Sequence, residues 1–496
     1  MGIVKHTLLQ LQTAVLLFAA LLLCGLEAVA KNLKNPNILM IVVDDLNDWV
    51  GVMNGHPNTI TPNIDRLAEN GTLFTNAHAA APLCGPTRAA LLSGLRPSST
   101  GLYGQARYSD LKENPYTSRV TLLPEYFSGH GYITISTGKI FHGRAPEEAF
   151  DISLEQGTGY FGPFPEERMN WTSPDGHRTA TDWGPYPEND EMMPDHEYAH
   201  WTVQQLQKEY DRPFFLSVGF VRPHVPLHVP QKWFDMHPIE GVMLPHHNEN
   251  QFDDMPETAL RFSHQMRMPN MEYMREGNRW KESVQAYLAC VTFVDHYIGL
   301  VLDALEESPH ADNTVVVLFS DHGYHIGEKG IWAKHTLWEE STRIPLIISR
   351  PGDSGLKRTH RPVNHIDIYP TLLDLAHLPP NPDNEGQSLV PLLENPEAEG
   401  FKASVTTHGF GNHSVRTERW RYIRYEDGSE ELYDHWTDPN EWTNLALRSQ
   451  YIDVIEELRG HLPEVNVPWD ANVSRGSHYN QYMRDLFERT RSDRKD

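Results

Sequence analysis

Residues 37–45 read Asn37-Ile38-Leu39-Met40-Ile41-Val42-Val43-Asp44-Asp45, an unbroken apolar run that ends in two carboxylates. A continuous run of this kind predicts a strand buried on both faces of a parallel sheet. Similar runs follow at 132–136, 214–218, 314–319 and 345–349. Between the runs, amphipathic patterns predict helices over 62–69, 85–93, 121–128, 196–209, 280–306 and 365–377. This alternation predicts an α/β sandwich with a large, mostly parallel central sheet flanked by helices.

Two long stretches interrupt the alternation of strands and helices. Residues 145–195 and 223–278 have no sustained periodicity and are rich in proline, acidic and aromatic residues. Loops of this length inside a compact domain are usually functional walls or lids. We therefore expect both stretches to border a binding site.

The pattern changes after about residue 376. Residues 420–425 and 431–434 flank Asp427-Gly428, which predicts an antiparallel hairpin. We therefore predict a large domain over 31–375 and a smaller C-terminal α+β domain with an antiparallel sheet over 376–496.

The first 30 residues are predicted to be an export signal. Lys5 precedes a mostly apolar stretch over 8–23, and Ala28-Val29-Ala30 has the small-x-small pattern of a cleavage site. Lipid attachment at Cys24 is less favoured, because the preceding Leu23 is bulky for such a site. No other stretch approaches the roughly 20 apolar residues that a membrane span needs. We expect an exported protein, periplasmic or secreted, without a stable membrane span.

The composition excludes several classes of protein. The chain has 496 residues and a formal net charge of −25, from 67 acidic and 42 basic residues. A general nucleic-acid binder needs a basic surface, so nucleic acid is not expected as a partner. The chain has only three cysteines, so no disulfide framework holds the fold. Cys290 lies in a helical pattern and is expected to pack in the core.

Two of the predicted strands end in acidic residues. Asp44 and Asp45 follow the first strand, and Asp321-His322 follow the run that ends at residue 319. Ligands of open α/β sheets bind at the carboxyl ends of the strands. Adjacent carboxylates repel each other unless a cation bridges them, and oxygen ligands favour Ca²⁺, with Mg²⁺ possible. An ordinary acidic turn is the alternative for Asp44-Asp45 alone.

A cysteine motif gives the clearest functional signal. Cys84-Gly85-Pro86-Thr87-Arg88 opens a predicted helix and continues to Leu91-Leu92-Ser93-Gly94. This C-x-P-x-R pattern, together with the acidic strand ends, resembles the type I sulfatases of the alkaline-phosphatase-like superfamily. The resemblance implies that the fold is an alkaline-phosphatase-like sandwich and that residues 31–375 are the catalytic domain.

Further motifs resemble one subgroup, the iduronate-2-sulfatase-like enzymes. They are Gly138-Lys139-Ile140-Phe141-His142, Arg222-Pro223-His224-Val225-Pro226 and the stretch from Ser320-Asp321-His322-Gly323 to Lys334. Many sulfatases carry asparagine where this chain has His322, and Asp-His is the form that the iduronate-type subgroup favours. The resemblance implies a sulfated carbohydrate as substrate, either a glycosaminoglycan or an algal polysaccharide or oligosaccharide.

The resemblance also implies a mechanism. In this family a separate formylglycine-generating enzyme converts the motif cysteine, here Cys84, to formylglycine (3-oxoalanine), whose hydrate attacks sulfur. Asp44, Asp45, Asp321, His322 and the modified Cys84 are expected to hold the cation. The catalytic set is expected to be Cys84 with Arg88 and Lys139 on the hydrate and metal side, Lys334 and His224 on the sulfate, and His142 assisting collapse of the sulfated intermediate.

Two alternatives remain open from the sequence. One is a phosphonate or phosphate monoester hydrolase of the same superfamily, and the other is a non-catalytic glycan-binding protein in which Cys84 is never modified. The histidines His228, His237, His246 and His247 are interpreted as loop residues, His365 as structural, and Arg222, Trp183 and His413 as candidate sugar contacts.

Overall fold

The computed structural model of the chain describes residues 35–154, 161–174, 176, 179–263, 267–470, 472–473, 480–481 and 484–485. The predicted export signal over 1–30, including Cys24, lies outside the described residues. The elements below belong to the compact unit that begins at Asn37.

The strands in chain order are β1 (Asn37–Val43), β2 (Thr72–Phe74), β3 (Ala77–His78), β4 (Ile133–Gly138), β5 (Ile152–Ser153), β6 (Trp183–Pro185), β7 (Phe214–Phe220), β8 (Leu227–Val229), β9 (Thr314–Ser320), β10 (Arg343–Ile344), β11 (Leu346–Ser349), β12 (Lys357–Thr359), β13 (Val363–Asn364), β14 (Ser404–Thr407), β15 (His413–Arg416), β16 (Trp420–Arg424) and β17 (Glu430–Asp434).

The α-helices are α1 (Pro62–Glu69), α2 (Cys84–Ser93), α3 (Pro97–Thr100), α4 (Tyr108–Glu113), α5 (Leu123–Gly129), α6 (Pro194–Leu206), α7 (Gln231–Asp235), α8 (Glu257–Ser263), α9 (Met271–Arg275), α10 (Arg279–Glu306), α11 (Glu339–Thr342), α12 (Ile368–Leu375), α13 (Val390–Glu394) and α14 (Ile452–Arg459). Short 3₁₀ turns lie at Gly51–Met53, Thr117–Arg119, Glu147–Ala149, Asp190–Met192, Ile239–Gly241, Ala311–Asn313, Glu328–Gly330, His365–Asp367 and Ser449–Tyr451.

Eight strands form the central sheet, in the order β12-β2-β11-β9-β1-β7-β4-β5. In this sheet β1 lies between β9 and β7 and is parallel to both, and β4 is parallel to β7. Val43 lies beside Phe220 of β7 and Ser320 of β9, and Gly138 lies beside Gly219. The four strands β1, β4, β7 and β9 therefore end together at one edge of the sheet. This confirms the predicted α/β fold with a mostly parallel sheet.

One side of the sheet departs from the parallel arrangement. The run predicted at 345–349 forms β11, which is antiparallel to both β9 and β2. A parallel strand needs a crossover, usually a helix, that returns the chain to the opposite edge. Between β9 and β11 the only described α-helix is the four-residue α11, so no long crossover helix is present and the chain re-enters the sheet in the opposite direction.

Helices cover both faces of the sheet. Alternate residues of β1 point to opposite sides, so that Leu39 and Ile41 pack with α10 and α6, whereas Met40 and Val42 pack with α2, α5 and α12. Helix α10 is apolar enough along its length to span a membrane, but 78% of its apolar window is buried inside the protein. It is therefore a core helix, and Cys290 on it is fully buried, as predicted.

The C-terminal part contains an antiparallel sheet of β14-β15-β16-β17, which includes the predicted hairpin as β16 and β17. Two hydrogen bonds to backbone carbonyls attach it near the cysteine motif. The Thr406 hydroxyl donates to the carbonyl of Ala79 at 2.6 Å, and the amide of Thr407 donates to the carbonyl of Ala80 at 2.9 Å. The antiparallel sheet is confirmed, and the domain boundary at residue 375 stays a prediction.

Candidate active site

The carboxylates at the strand ends meet at the edge of the sheet. Asp44 and Asp45 follow β1, Asp321 follows β9, and the amide of Asp45 donates to Asp321 Oδ1 at 3.2 Å. Asp45 has a φ of 63°, in the left-handed region that few residues other than glycine adopt. All three aspartates are at most 1% exposed. Three carboxylates held this close without water need cations to neutralise them.

The cysteine motif begins helix α2 beside these carboxylates. Leu83 is extended and Cys84 is the first helical residue, so its side chain lies at the positive end of the helix. A Cβ on Gly85 would lie 2.6 Å from the carbonyl oxygen of Gly104, which explains glycine there. Arg88 lies one turn further on the same face as Cys84. The helix therefore presents the thiol and the guanidinium to the same carboxylates.

Three cations balance the three aspartates. Arg88 Nε lies 2.9 Å from Asp321 Oδ2, and its Nη2 lies 3.5 Å from Asp44 Oδ1. Lys139 Nζ contacts Asp44 Oδ2, and Lys334 Nζ lies 2.6 Å from Asp45 Oδ1. All these groups are buried. The site without a bound ion is therefore close to neutral, although the chain carries a net charge of −25.

His322 presents a free lone pair to the cluster. Its Nδ1 lies 2.9 Å from the carbonyl of Gly323, which can only accept, so Nδ1 carries the proton. Its Nε2 lies 3.1 Å from Cys84 Sγ and 3.4 Å from Asp45 Oδ1. Burial lowers the pKa of His322 to about 3, against the neighbouring Asp321. The ring is therefore neutral and oriented as a metal ligand.

His224 and His142 complete the predicted set. His224 donates from Nδ1 to the carbonyl of Val225 at 2.6 Å, and its Nε2 lies 3.9 Å from Asp45 Oδ2. His142 is partly buried, and its Nδ1 has no hydrogen-bond partner among the described residues. Burial lowers the pKa of both rings well below the usual value, with Lys139 acting in the same direction. Both are therefore neutral beside the cations.

The donor atoms fit a hard divalent cation. Ligand atoms of Asp44, Cys84, Asp321 and His322 all lie within 4.8 Å of one another, and so do those of Asp44, Asp45, Cys84 and His224. Asp45 Oδ2 is buried and has no hydrogen-bond partner within the described part of the chain. Burial raises the pKa of Asp45 to about 7, and Lys334 only partly opposes this. A cation among these oxygens would give Asp45 Oδ2 a partner and stabilise the charged form of the Asp45 carboxylate.

The candidate sugar contacts are buried in the structure. Arg222, Trp183 and His413 are at most 3% exposed, and each guanidinium nitrogen of Arg222 donates to a backbone carbonyl. His228 and His237 are buried, with His228 beside Asp182 and His237 bonded to Thr292. His365 Nε2 donates to the carbonyl of Ser320 at the end of β9, at 2.8 Å, in keeping with its predicted structural role.

Arg222 has a different role, which the sequence did not reveal. Its guanidinium donates to the carbonyls of His228 (2.9 Å), His224 (3.1 Å) and Phe161 (2.7 Å). The Phe161 ring stacks on the His224 ring at 4.8 Å, and Asp195 accepts from the amides of Val221 and Arg222. Arg222 is therefore a positioning residue for His224. Its partner Phe161 is 61 residues away in the chain, and no local pattern links the two.

Replacing Arg222 with methionine is expected to lower kcat/KM by about 10- to 100-fold, because a small displacement of His224 is enough for losses of that size. The fall should appear mainly in kcat, with the bound metal content unchanged. Steady-state kinetics and metal analysis of the folded variant test this. Arg212→Met, at an exposed arginine just before β7, is the matched control. Unchanged kinetics in Arg222→Met would contradict the positioning role.

Comparisons with known proteins extend these observations. A family model described as Sulfatase matches residues 36–378, and one described as N-sulphoglucosamine sulphohydrolase, C-terminal, matches residues 327–467. A curated relative named Sulfatase, from Formosa agariphila, is 46% identical over 455 residues, or 90% of each chain. Iduronate 2-sulfatase of Mus musculus is 30% identical over 395 residues, covering 70% of this chain and 69% of that protein.

Solved structures share the architecture. A phosphonate monoester hydrolase of Agrobacterium radiobacter superposes with a TM-score of 0.71 and 22% identity, over 86% of this chain and 94% of that one. At this identity the similarity shows the fold alone.

Proposed function

Because the chain belongs to the sulfatase family and is therefore a sulfuric ester hydrolase, we propose that it removes sulfate from a sulfated carbohydrate through a formylglycine made from Cys84. The sequence resemblance to the sulfatases, with iduronate-2-sulfatase-like relatives, and the expected fold are both confirmed. The modification, the cation, the roles of individual residues and the export of the protein belong to the proposal.

The surroundings of Cys84 carry the proposal. The thiol is 1% exposed, and burial raises its pKa to about 12, with Asp44 acting in the same direction. A thiol is nucleophilic only as the thiolate, and a raised pKa disfavours that form. Cys84 nevertheless lies between His322 Nε2 and Lys334 Nζ, each 3.1 Å from Sγ. Formylglycine at this position would supply, as its hydrate, an oxygen nucleophile that the thiol does not.

The cation site supports binding of an anionic ester. The charges of the three aspartates and of the three basic side chains cancel. A divalent cation held by Asp44, Asp45, Asp321 and His322 would therefore make the centre positive. Such an ion would polarise the sulfate oxygens and offset the charge that develops during the reaction. Ca²⁺ is the ion we propose, since carboxylate oxygens dominate the donor set.

The basic side chains have different roles in the proposed reaction. The described contacts of Arg88 are with Asp44, Asp321 and the carbonyls of Lys139 and Ile140, so it holds carboxylates in place. Lys334 Nζ reaches both Asp45 and Cys84 and is placed to bind an oxygen of a sulfate at the end of the Cys84 side chain. His224 and His142 are neutral and can accept or donate a proton beside that sulfate.

Two observations support the substrate class that we propose, a sulfated sugar containing uronic acid or a similar ring. One is the set of subgroup motifs, and the other is the relative named iduronate 2-sulfatase. We also propose that a formylglycine-generating enzyme acts on the chain and that the protein is exported to the periplasm or secreted.

Mass spectrometry of the peptide containing Cys84 tests the proposal. Conversion to formylglycine lowers the mass by about 18 Da, because an aldehyde replaces CH₂–SH. We expect this shift in protein made with a working maturation enzyme, together with sulfate release from sulfated oligosaccharides. An unshifted peptide beside a shifted control protein would overturn the formylglycine mechanism. Release of sulfate from aryl sulfates alone would overturn the carbohydrate substrate.

Removal of divalent cations is expected to abolish turnover and to lower the midpoint of thermal unfolding, because the three buried aspartates lose their shared partner. Calcium at 100 times its Kd should stabilise the fold by about 2.7 kcal/mol. Turnover and thermal unfolding after chelation and after re-addition of Ca²⁺ measure both effects. Full activity in protein shown by elemental analysis to be free of metal would contradict the cation site.

A further inference from the structure

A second group of potential metal ligands lies outside the active site, on helices α6 and α10. Helix α6 contains His196-Glu197-Tyr198-Ala199-His200, in which the two histidines are four residues apart and share one face. Their rings stack with centroids 4.0 Å apart and planes inclined at 27°. The same spacing presents two imidazoles to one zinc ion in zinc enzymes.

The ring nitrogens are available to a ligand. His200 Nδ1 lies 2.8 Å from the carbonyl of His196, so it donates there and its Nε2 keeps a free lone pair. Neither ring nitrogen of His196 has a hydrogen-bond partner among the described residues. Burial lowers the pKa of His196, and His200 lowers it further. Both conditions favour the neutral ring that a metal ion needs.

Additional donors line the same cleft. It has a volume of about 360 Å³ and is bordered by His196, His200, His296 and Glu191. The nearby cation Lys232 is bound at 2.7 Å by Asp190, so its charge is already balanced.

Asp190 anchors the floor of the cleft. Its Oδ1 accepts from Trp233 Nε1 and its Oδ2 from the hydroxyl of Tyr297, both at 2.9 Å. The Tyr297 ring in turn packs edge-on against His196 and His296. The histidines therefore stand on a buried support.

We propose that His196 and His200 bind a divalent transition-metal ion of the zinc type, in a cleft that Glu191 and His296 also border. The donor set is dominated by imidazole, which suits zinc, nickel and copper and is poorly suited to calcium. It therefore differs in chemistry from the carboxylate-rich centre around Cys84. The proposal is independent of the function proposed above.

Binding of Zn²⁺ to the full chain, in competition with a chromophoric chelator and with millimolar Ca²⁺ present, tests the site. We expect the wild type to bind one more equivalent of Zn²⁺ than the double variant His196→Ala/His200→Ala. Each single variant should bind the additional Zn²⁺ more weakly, by about tenfold or more. Loss of an important contact to a metal has an effect of this size. Alanine is the best helix former, so helix α6 should tolerate these changes.

His130→Ala is the matched control. His130 also donates from Nδ1 to a carbonyl four residues earlier, at 2.8 Å, and stacks on the ring there at 4.3 Å, but that ring belongs to Tyr126. The control should bind Zn²⁺ like the wild type, and Zn²⁺ should raise its unfolding midpoint. Equal binding by the wild type and the double variant, with both folded, would overturn the proposal, whatever the sulfatase activity.

Discussion

Replacing Cys84 with alanine is expected to lower sulfate-ester turnover by about four to six powers of ten. Loss of an essential nucleophile has effects of this size, and the residual rate comes from binding and electrostatics alone. Under the proposed chemistry Cys84 supplies the nucleophile, and its Sγ lies 3.1 Å from both His322 Nε2 and Lys334 Nζ, beside the aspartates. Steady-state kinetics on a sulfated oligosaccharide measure the effect.

Cys290→Ala is the control for this change. Cys290 is also a fully buried cysteine, but it packs in the apolar core of α10. Its replacement should lower stability modestly and leave kcat/KM near the wild-type value. Substrate binding by Cys84→Ala, measured by calorimetry, should survive. A Cys84→Ala variant that still turns over at a rate within tenfold of wild type would refute the assignment of the nucleophile.

Replacing Arg88 with alanine is expected to reduce the free energy of unfolding by about 3–5 kcal/mol, because it breaks a buried ion pair with Asp321 and removes one of the two cations that contact Asp44. Arg88 is 1% exposed and lies between Asp321 and Asp44. It also donates to the carbonyls of Lys139 and Ile140, so its loss leaves backbone acceptors unpaired. Turnover should fall as well, since both aspartates are predicted cation ligands.

Urea denaturation at a fixed Ca²⁺ concentration, followed by tryptophan fluorescence, measures this loss. Arg66→Ala is the matched control, because Arg66 pairs with Asp303 and Glu306 on the surface, where a pair contributes less than about 1 kcal/mol. Arg88→Lys should fall between the two, since lysine keeps the charge but not the forked geometry. Equal urea midpoints for Arg88→Ala and the wild type would show that the buried pairs contribute nothing.

The parts of the fold that the sequence predicted are those with a strong local signal. The uninterrupted apolar runs of β1 and β9 identified both strands and the acidic residues after them. Helix α1 was predicted at the residues where it lies, because Pro62 marks its start and its apolar residues recur at helical spacing. An apolar run has no direction, however, so the antiparallel pairing of β11 could not be predicted.

Within the site, the residues found from the sequence belong to short motifs, and the ones that were missed do not. Cys84, Arg88 and Lys139 lie in stretches with a fixed pattern. Phe161 and Asp195 reach the His224 loop only through the folding of the chain. Arg222 was recognised but misinterpreted as a sugar contact, because a sequence does not distinguish an exposed arginine from a buried one whose three guanidinium nitrogens each donate to a backbone carbonyl.

The burial of Cys84 sets an order of events during biosynthesis. At 1% exposure the side chain cannot enter the active site of a second enzyme after the protein has folded. Under the proposed chemistry, maturation therefore competes in time with folding. The active fraction of any preparation would depend on the ratio of the rate of maturation to the rate of folding, so slower synthesis should raise that fraction. Maturation enzyme added to folded, unconverted protein should leave it inactive until the chain is unfolded and refolded.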